Sequence, residues 1–171
     1  MIIEGRAVVV PGDNVDTDVM YPGAYLNIDD PEEMKPYLFE GFDPTLRDQL
    51  GDDAIIVTGW NFGIGSSREH VPQAMKAWGV CCVVGRSFAR IFRRNCVNLG
   101  LPVLECPEAA EAATPGSRIR IDTEAGAVEV DGRNFQARPI DPFVLELQAS
   151  GGLVPWAAKK LPEQFLGGGK A

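Results

Sequence analysis

The side chains best suited to chemistry lie together in residues 61–70, NFGIGSSREH. Two neighbouring hydroxyl groups, Ser66 and Ser67, are followed directly by the guanidinium of Arg68. A guanidinium is a planar, two-pronged donor that suits a carboxylate. We expect a helix to start within this stretch, and the free N–H groups and partial positive charge of a helix N-terminus favour anions. The stretch therefore predicts recognition of a small anionic substrate, with a hydroxyl placed where its alkoxide would be stabilised.

Two predicted elements position this stretch. The apolar run at residues 54–57 predicts a buried strand before it. A helix is predicted after it, because apolar residues recur at spacings of three and four; they are Val71, Ala74, Met75 and Trp78. The stretch is therefore a strand-to-helix turn, in which Gly63 and Gly65 let the backbone come close to a neighbouring group.

Two further polar side chains of the stretch are expected to support the site. Glu69 suits the positive end of the predicted helix dipole. His70 is the only histidine in the chain, and a lone histidine here is more often a capping or core side chain than a catalytic one. The next predicted helix carries three arginines that form either a solvated face or a patch for a partner or substrate; they are Arg90, Arg93 and Arg94.

The rest of the chain predicts an α/β domain. Residues 80–84 and 101–104 are expected strands, separated by a helix with Phe88 on its apolar face that stops at Gly100. This strand–helix–strand order predicts βαβ units and a parallel sheet. The other predicted elements are a strand at 2–10, short helices at 31–35 and 45–50, a hairpin of 118–121 with 127–130, and a last helix within 141–151. We expect one domain over residues 1–171, with a frayed tail at 167–171.

Composition and charge limit the function classes. The chain of 171 residues has a net charge of −8 and no long basic tract, which argues against a nucleic-acid binder. No apolar run reaches transmembrane length and the start of the chain lacks the layout of a secretory signal, so we expect a soluble, cytoplasmic protein without membrane contact. The four cysteines form no C-x-x-C pair, so we expect buried thiols and no metal bound by this chain.

Several known site motifs are incomplete in this chain. The acidic loop at residues 12–18 lacks the glycine and the glutamate that an EF-hand requires, since those places hold Asp18 and Ala24. The dinucleotide fingerprint G-x-G-x-x-G has Arg68 in place of its third glycine. A serine-hydrolase elbow and the Gly-Lys-Ser/Thr of a phosphate loop are absent. The acidic loop is therefore interpreted as a solvated or functional loop beside a strand end.

Residues 61–70 resemble the signature of the swivelling domain of the aconitase superfamily. Further segments resemble the family's N-terminal motif and its third block; they are residues 12–18 and 21–26, and residues 87–96 and 100–103. These matches follow the family's order along the chain, whereas the C-terminal third matches only in general layout. The chain is similar in size to a stand-alone small subunit of this family.

The resemblance implies a fold, a partner and a reaction. The fold is an α/β swivelling domain of the β/β/α type, with a mixed, partly parallel sheet. The partner is a large subunit that carries a [4Fe–4S] cluster on its own three cysteines, so this chain itself binds no cofactor. The reaction is the reversible loss and re-addition of water on a 2-hydroxy di- or tricarboxylate, with the open iron of the cluster as Lewis acid.

The family pattern also implies residue roles. Ser66 is the base that removes the carbon-bound proton, while Ser67 and Arg68 bind a substrate carboxylate. Thr17 and Asp18 match a family pair that lies near the substrate. A serine hydroxyl is a poor base unless its alkoxide is stabilised, and N–H groups at a helix start beside a guanidinium are suited to that task.

The variable group of the substrate is expected to face Asn27 and Ile28, because in this family the residues after Tyr25-Leu26 contact that group. An arginine there would suit the extra carboxylate of homoaconitate, and an apolar residue would suit an isopropyl group. Asn27 cannot neutralise a carboxylate, which favours isopropylmalate; methylmalate, dimethylmalate and homoaconitate are the alternatives. A hypothesis of another class is a non-catalytic module that binds carboxylates.

Overall fold

A computed structural model describes residues 1–161, and its strands form one mixed sheet. The strands are β1 (Ile2–Val9), β2 (Ala54–Thr58), β3 (Cys82–Gly85), β4 (Val103–Glu105), β5 (Arg118–Asp122), β6 (Ala127–Val130) and β7 (Arg133–Gln136). They lie in the order β4-β3-β2-β1-β5-β6-β7. The pairs from β4 to β1 are parallel and those from β1 to β7 are antiparallel. The expected mixed, partly parallel sheet is confirmed, whereas the tail predicted to fray lies outside the described residues.

The helices are short. They are α1 (Thr17–Met20), α2 (Pro31–Met34), α3 (His70–Ala77), α4 (Arg90–Asn98), α5 (Pro107–Ala112), α6 (Pro142–Ala149) and α7 (Leu153–Lys160), with 3₁₀ turns at Gly23–Tyr25, Lys35–Tyr37 and Pro44–Gln49. Helix α2 begins as its sequence predicts, because the carboxylate of Asp30 accepts a hydrogen bond from Glu32 N–H at 2.9 Å. No helix within residues 1–161 is long and apolar enough to cross a bilayer.

Two hydrophobic cores lie on opposite faces of the sheet. All five residues of β2 are buried, and its four apolar residues alternate between the two cores. Ile56 packs in the core shared with α1 to α4, whereas Ile55 and Val57 pack in the core shared with α5 and the antiparallel strands. A strand covered on both faces has no polar side, which is why residues 54–57 read as a continuous apolar run.

Some predicted boundaries are wrong for identifiable reasons. Helix α4 begins at Arg90, because Phe88 forms a parallel bridge with Phe62 and Ala89 is extended with ψ 140°. The acidic loop ends two residues early, because Asp16 caps a helical turn that begins at Thr17. The predicted strands at 80–84 and 101–104 begin two residues later, and the predicted helix at 45–50 is a 3₁₀ turn.

Besides α1, three elements have no counterpart among the sequence predictions: α5, β7 and α7. Helix α5 is a single alanine-rich stretch with one buried residue, Ala109. Strand β7 lies at the edge of the sheet and none of its side chains is fully buried. None of the residues of α7 is fully buried either. Elements with so little buried apolar surface leave no clear periodic signal.

Candidate active site

The predicted catalytic turn connects the carboxyl end of β2 to the start of α3. Backbone hydrogen bonds hold it against the acidic loop. Gly63 N–H donates to Val15 O at 2.9 Å, and Thr17 N–H donates to Ile64 O at 2.8 Å. Two segments that are distant in the sequence therefore lie side by side, and the side chains of both reach the same surface.

Both glycines of the turn are required by its geometry. Gly63 has φ +86°, and a Cβ there would lie 2.3 Å from the side chain of Phe92. Gly65 has φ +95°, and a Cβ there would lie 2.2 Å from Asp16 Oδ1. An L side chain is strained at such φ angles and would also meet atoms that are already packed. The close backbone approach expected at these positions is therefore toward α4 and the acidic loop.

Ser66, Asp18 and Arg68 form one hydrogen-bonded cluster. The Ser66 hydroxyl donates to Asp18 Oδ1. Arg68 Nε lies 3.0 Å from the same carboxylate oxygen and 3.3 Å from Ser66 Oγ. Arg68 Nη1 donates to Tyr21 O at 2.6 Å, which fixes the other end of the guanidinium. The predicted base therefore has a carboxylate as acceptor and a cation beside it.

The cluster is open to solvent. Ser66, Ser67 and Asp18 are exposed, and Ser67 makes no side-chain hydrogen bond within residues 1–161. The Arg68 side chain is 15% exposed. The N–H groups of residues 66–70 donate to no backbone carbonyl of the described chain. Unpaired N–H groups beside a guanidinium are the arrangement expected of a site for an anion or an alkoxide.

Thr17 is buried next to the cluster and supports its backbone. It is 3% exposed, and its hydroxyl donates to Ser66 O at 2.7 Å. The residue before it, Asp16, caps α1 by accepting Asp18 N–H at 2.7 Å. The two bonds position the backbone of Ser66 and of Asp18. A direct contact between Thr17 and substrate stays a prediction, since its hydroxyl is already donated to the backbone of the turn.

His70 connects α3 to the loop that follows α1. Its Nε2 lies 3.1 Å from Leu26 O, and its ring stacks on that of Tyr21 with 5.0 Å between centroids. These contacts agree with the structural interpretation of this histidine. Glu69 occupies the residue before α3 and is exposed, and its side chain makes no capping hydrogen bond.

Asn27 and Ile28 follow the 3₁₀ turn at Gly23–Tyr25, on the side of the cluster where Arg68 lies. A Cβ on Gly23 would lie 3.6 Å from Arg68 Nη2. Asn27 is exposed and Ile28 is partly buried against the core. The ring of Tyr25 stacks on that of Tyr37 with centroids 3.9 Å apart, which anchors this loop. A contact of Asn27 or Ile28 with the variable group of the substrate stays a prediction.

The four cysteines do not converge. Cys82, Cys96 and Cys106 are buried and Cys81 is partly buried. Burial raises the pKa of each thiol, so all four are held in the neutral form at neutral pH. Among residues 1–161, no three His, Cys, Asp or Glu side chains are grouped to hold a metal ion.

The arginines of α4 lie on its outer surface. Arg90, Arg93 and Arg94 are exposed, and Arg93 pairs with Glu105 at 3.5 Å. The choice between a solvated face and a partner patch stays open for Arg90 and Arg94.

Two residues of the site were not chosen from the sequence. Tyr21 supplies the carbonyl that holds Arg68, and Asp16 lies against Gly65 and caps α1. An aspartate directly before Thr17 is a helix-cap signal that was available for Asp16. A backbone carbonyl leaves no such signal, because every residue has one.

Comparison with known proteins assigns the class. Residues 17–109 match the aconitase C-terminal domain, a segment that contains α1, the predicted catalytic turn and α4. The chain belongs to this family.

Individual relatives match over nearly the whole chain. The chain is 45% identical to "3-isopropylmalate dehydratase small subunit 1" of Methanopyrus kandleri, over 97% of this chain and 98% of that protein. It is 45% identical to the 3-isopropylmalate dehydratase small subunit of Moorella thermoacetica, over 94% and 98%. The crystal structure of 3-isopropylmalate dehydratase from Methanocaldococcus jannaschii has the same fold, with a TM-score of 0.88 at 35% identity over 98% of this chain and 100% of that one.

Proposed function

We infer that the chain is the small subunit of a 3-isopropylmalate dehydratase, a hydro-lyase of leucine biosynthesis. The reaction interconverts 2- and 3-isopropylmalate by loss and re-addition of water. The observation that carries this inference is the open cluster of Ser66, Asp18 and Arg68, in a chain that matches small subunits along almost its whole length. The cluster supplies a base and a carboxylate site, but it is only one side of an active site.

The proton path is built from residues of this chain. Ser66 Oγ takes the carbon-bound proton of the substrate, and its own proton passes to Asp18, the carboxylate to which the hydroxyl already donates. Arg68 Nε lies 3.3 Å from Ser66 Oγ and stabilises negative charge that develops there. The unpaired N–H groups at the start of α3 add to this effect. On re-addition of water the same groups return the proton to carbon.

Arg68 also provides the carboxylate site. Its Nε and Nη1 have partners in Asp18 and Tyr21, whereas Nη2 has no hydrogen-bond acceptor within residues 1–161. A substrate carboxylate can therefore bind Nη2 and the Ser67 hydroxyl without breaking the contacts that hold the guanidinium in place. A charge-assisted hydrogen bond of this kind orients the substrate as well as binding it.

The large subunit completes the site. We propose that it carries a [4Fe–4S] cluster, which when bound supplies a Lewis acid for the substrate hydroxyl and a carboxylate. The placement on the partner is what the resemblance of residues 61–70 to the family signature implies. Closure of the partner over the exposed cluster would remove water and strengthen the electrostatic contacts of Ser66. The cytoplasmic location expected from the sequence stays a prediction.

The favoured substrate is isopropylmalate rather than homoaconitate. Asn27 is neutral and exposed, so it offers no charge to a further carboxylate, while Ile28 is apolar and partly buried. Methylmalate and dimethylmalate differ only in the size of the alkyl group. A substrate panel measured on Asn27→Arg and Asn27→Val separates these alternatives, since the arginine variant should gain activity toward homoaconitate and lose it toward isopropylmalate.

The direct test combines the chain with a purified iron–sulfur large subunit and measures formation of the unsaturated acid. Activity should require both subunits, and Ser66→Ala should lower kcat at least about 10³-fold while leaving assembly intact. Near-normal turnover of the alanine variant would exclude Ser66 as the base. Tight binding of isopropylmalate to the chain alone, without turnover in the mixture, would instead support a non-catalytic module.

A further inference from the structure

A cavity of about 590 Å³ lies outside the carboxyl ends of β3 and β4. Arg86 directly follows β3, and Glu105 ends β4. Arg93 reaches the cavity from α4, and Arg138 reaches it from the segment after β7. In α/β sheets this edge is where ligands bind, because the loops and helix starts that follow parallel strands meet there. None of the residues of the Ser66 cluster lines this cavity.

The two carboxylates that line the cavity already have bonding partners. Glu105 pairs with Arg93 at 3.5 Å. Asp141 caps α6 by accepting Phe143 N–H at 2.8 Å. Neither carboxylate lies within salt-bridge distance of Arg86 or Arg138.

Two guanidinium groups are left without a close counter-charge. The nearest carboxylate to Arg86 is that of Glu111, at 4.0 Å, and this side chain is 75% exposed. Arg138 has no carboxylate within 4.0 Å among residues 1–161. A cavity with an excess of arginine is unexpected in a chain whose net charge is −8.

The second cavity of the described chain has the opposite balance. It is about 480 Å³ in volume and lies over the exposed face of β1, β5 and β6. Its charged side chains are three arginines and four acids: Arg6, Arg118, Arg120, Glu4, Asp53, Glu129 and Asp131. Arg6 pairs with Asp53 and Arg120 pairs with Glu4. The guanidinium of Arg118 has no carboxylate within 4.0 Å among residues 1–161, but the acids that line this cavity outnumber its arginines. An excess of arginine over acid is therefore what distinguishes the first cavity from the second.

We propose that the cavity at the ends of β3 and β4 binds a small oxyanion with two negative charges, such as phosphate or a dicarboxylate. A guanidinium donates two parallel hydrogen bonds to either group. Two arginines from separate segments of the chain, one after β3 and one after β7, line the cavity and provide these donors. The site is adjacent to the catalytic turn, since Asn61 N–H donates to the hydroxyl of Ser87, the residue after Arg86.

The test is a titration of the full chain with inorganic phosphate, and separately with malonate, at constant ionic strength. Amide chemical shifts locate the bound anion. Saturable shifts are expected around Arg86, Glu105 and Arg138, and the preferred probe distinguishes a phosphate site from a dicarboxylate site. The double variant Arg86→Gln/Arg138→Gln should raise the dissociation constant at least about tenfold, because each lost charge-assisted hydrogen bond weakens binding.

The matched control removes two arginine charges from the other cavity. Arg118→Gln/Arg120→Gln should leave the dissociation constant within about twofold of that of the parent chain, because neither arginine lines the first cavity and their charges are screened by salt. Equal weakening by both double variants would show only non-specific attraction and would overturn the proposal. So would shifts that do not saturate, or shifts confined to residues 61–70. The single variant Arg138→Gln, at an exposed position, provides the same comparison if the double variant fails to fold.

Discussion

Asp18→Asn tests whether this carboxylate takes the proton of Ser66 or only holds Arg68. Asp18 Oδ1 accepts the Ser66 hydroxyl and lies 3.0 Å from Arg68 Nε. Asparagine keeps the size of the side chain and one acceptor oxygen, but it has no charge and does not take up a proton. We therefore expect kcat of the assembled enzyme to fall about 10²- to 10⁴-fold, the usual contribution of a positioned acid–base group.

The same substitution should change stability little. The Asp18 side chain is 49% exposed, so its ion pair with Arg68 is screened by water and contributes about 0–1 kcal/mol. Arg68 keeps its hydrogen bond to Tyr21 O. A large loss of kcat with a loss of less than about 1 kcal/mol in the free energy of unfolding would therefore separate a chemical role from a structural one.

Steady-state kinetics of the two-subunit enzyme and urea unfolding of the chain measure these two quantities. Asp53→Asn is the matched control, because its carboxylate also pairs with one arginine, Arg6, at 3.7 Å. It lies before the amino end of β2, whereas the catalytic turn follows the carboxyl end. The control should change kcat by no more than about twofold and the free energy of unfolding by no more than about 0.5 kcal/mol. The proton path would be refuted if Asp18→Asn raised KM but kept kcat within about threefold of the parent value.

Three further predictions follow from the turn and from the thiols. Gly65→Ala should lower the free energy of unfolding by at least about 1 kcal/mol more than Gly12→Ala. Both glycines have positive φ, but only at Gly65 would a Cβ meet a neighbouring atom, Asp16 Oδ1 at 2.2 Å. Equal unfolding midpoints of the two variants would contradict this close approach. Thr17→Val should lower the free energy of unfolding by about 1–3 kcal/mol and should also lower kcat, because Ser66 O loses its hydrogen-bond donor. Thr17→Ser keeps the hydroxyl and should restore both quantities. Unchanged urea unfolding and kinetics in the valine variant would show that the bond is dispensable. In the native chain the three buried thiols, Cys82, Cys96 and Cys106, should react slowly with a thiol reagent at about pH 8, because burial raises their pKa and leaves little thiolate. The unfolded chain should react at all four cysteines, and rapid native reaction of any of the three buried thiols would contradict the structure.

Much of the local structure is readable from the sequence. The apolar run at residues 54–57, the cap at Asp30 and the alternating hairpin strands each depend on neighbouring residues, and all are present in the structure. The stretch at residues 61–70 could likewise be identified as a strand-to-helix turn with a serine pair and an arginine at its end. The predicted start of α4 is wrong, because Phe88 forms a bridge with Phe62 instead of joining the helix. This is a contact between two separate loops, which no local pattern indicates.

The sequence by itself determined the types of residue available for chemistry and the turn that presents them, because glycine spacing and hydrophobic periodicity are local properties. Only the tertiary structure decided that Asp18 receives the Ser66 hydroxyl and that Tyr21 O holds Arg68, two contacts between residues nearly fifty positions apart. The parallel sheet places the acidic loop after β1 next to the turn after β2, and no local pattern encodes which loops become neighbours. The same reason applies to the cavity lined by Arg86 and Arg138, whose walls come from the residue after β3, from α4, from β4 and from the segment after β7.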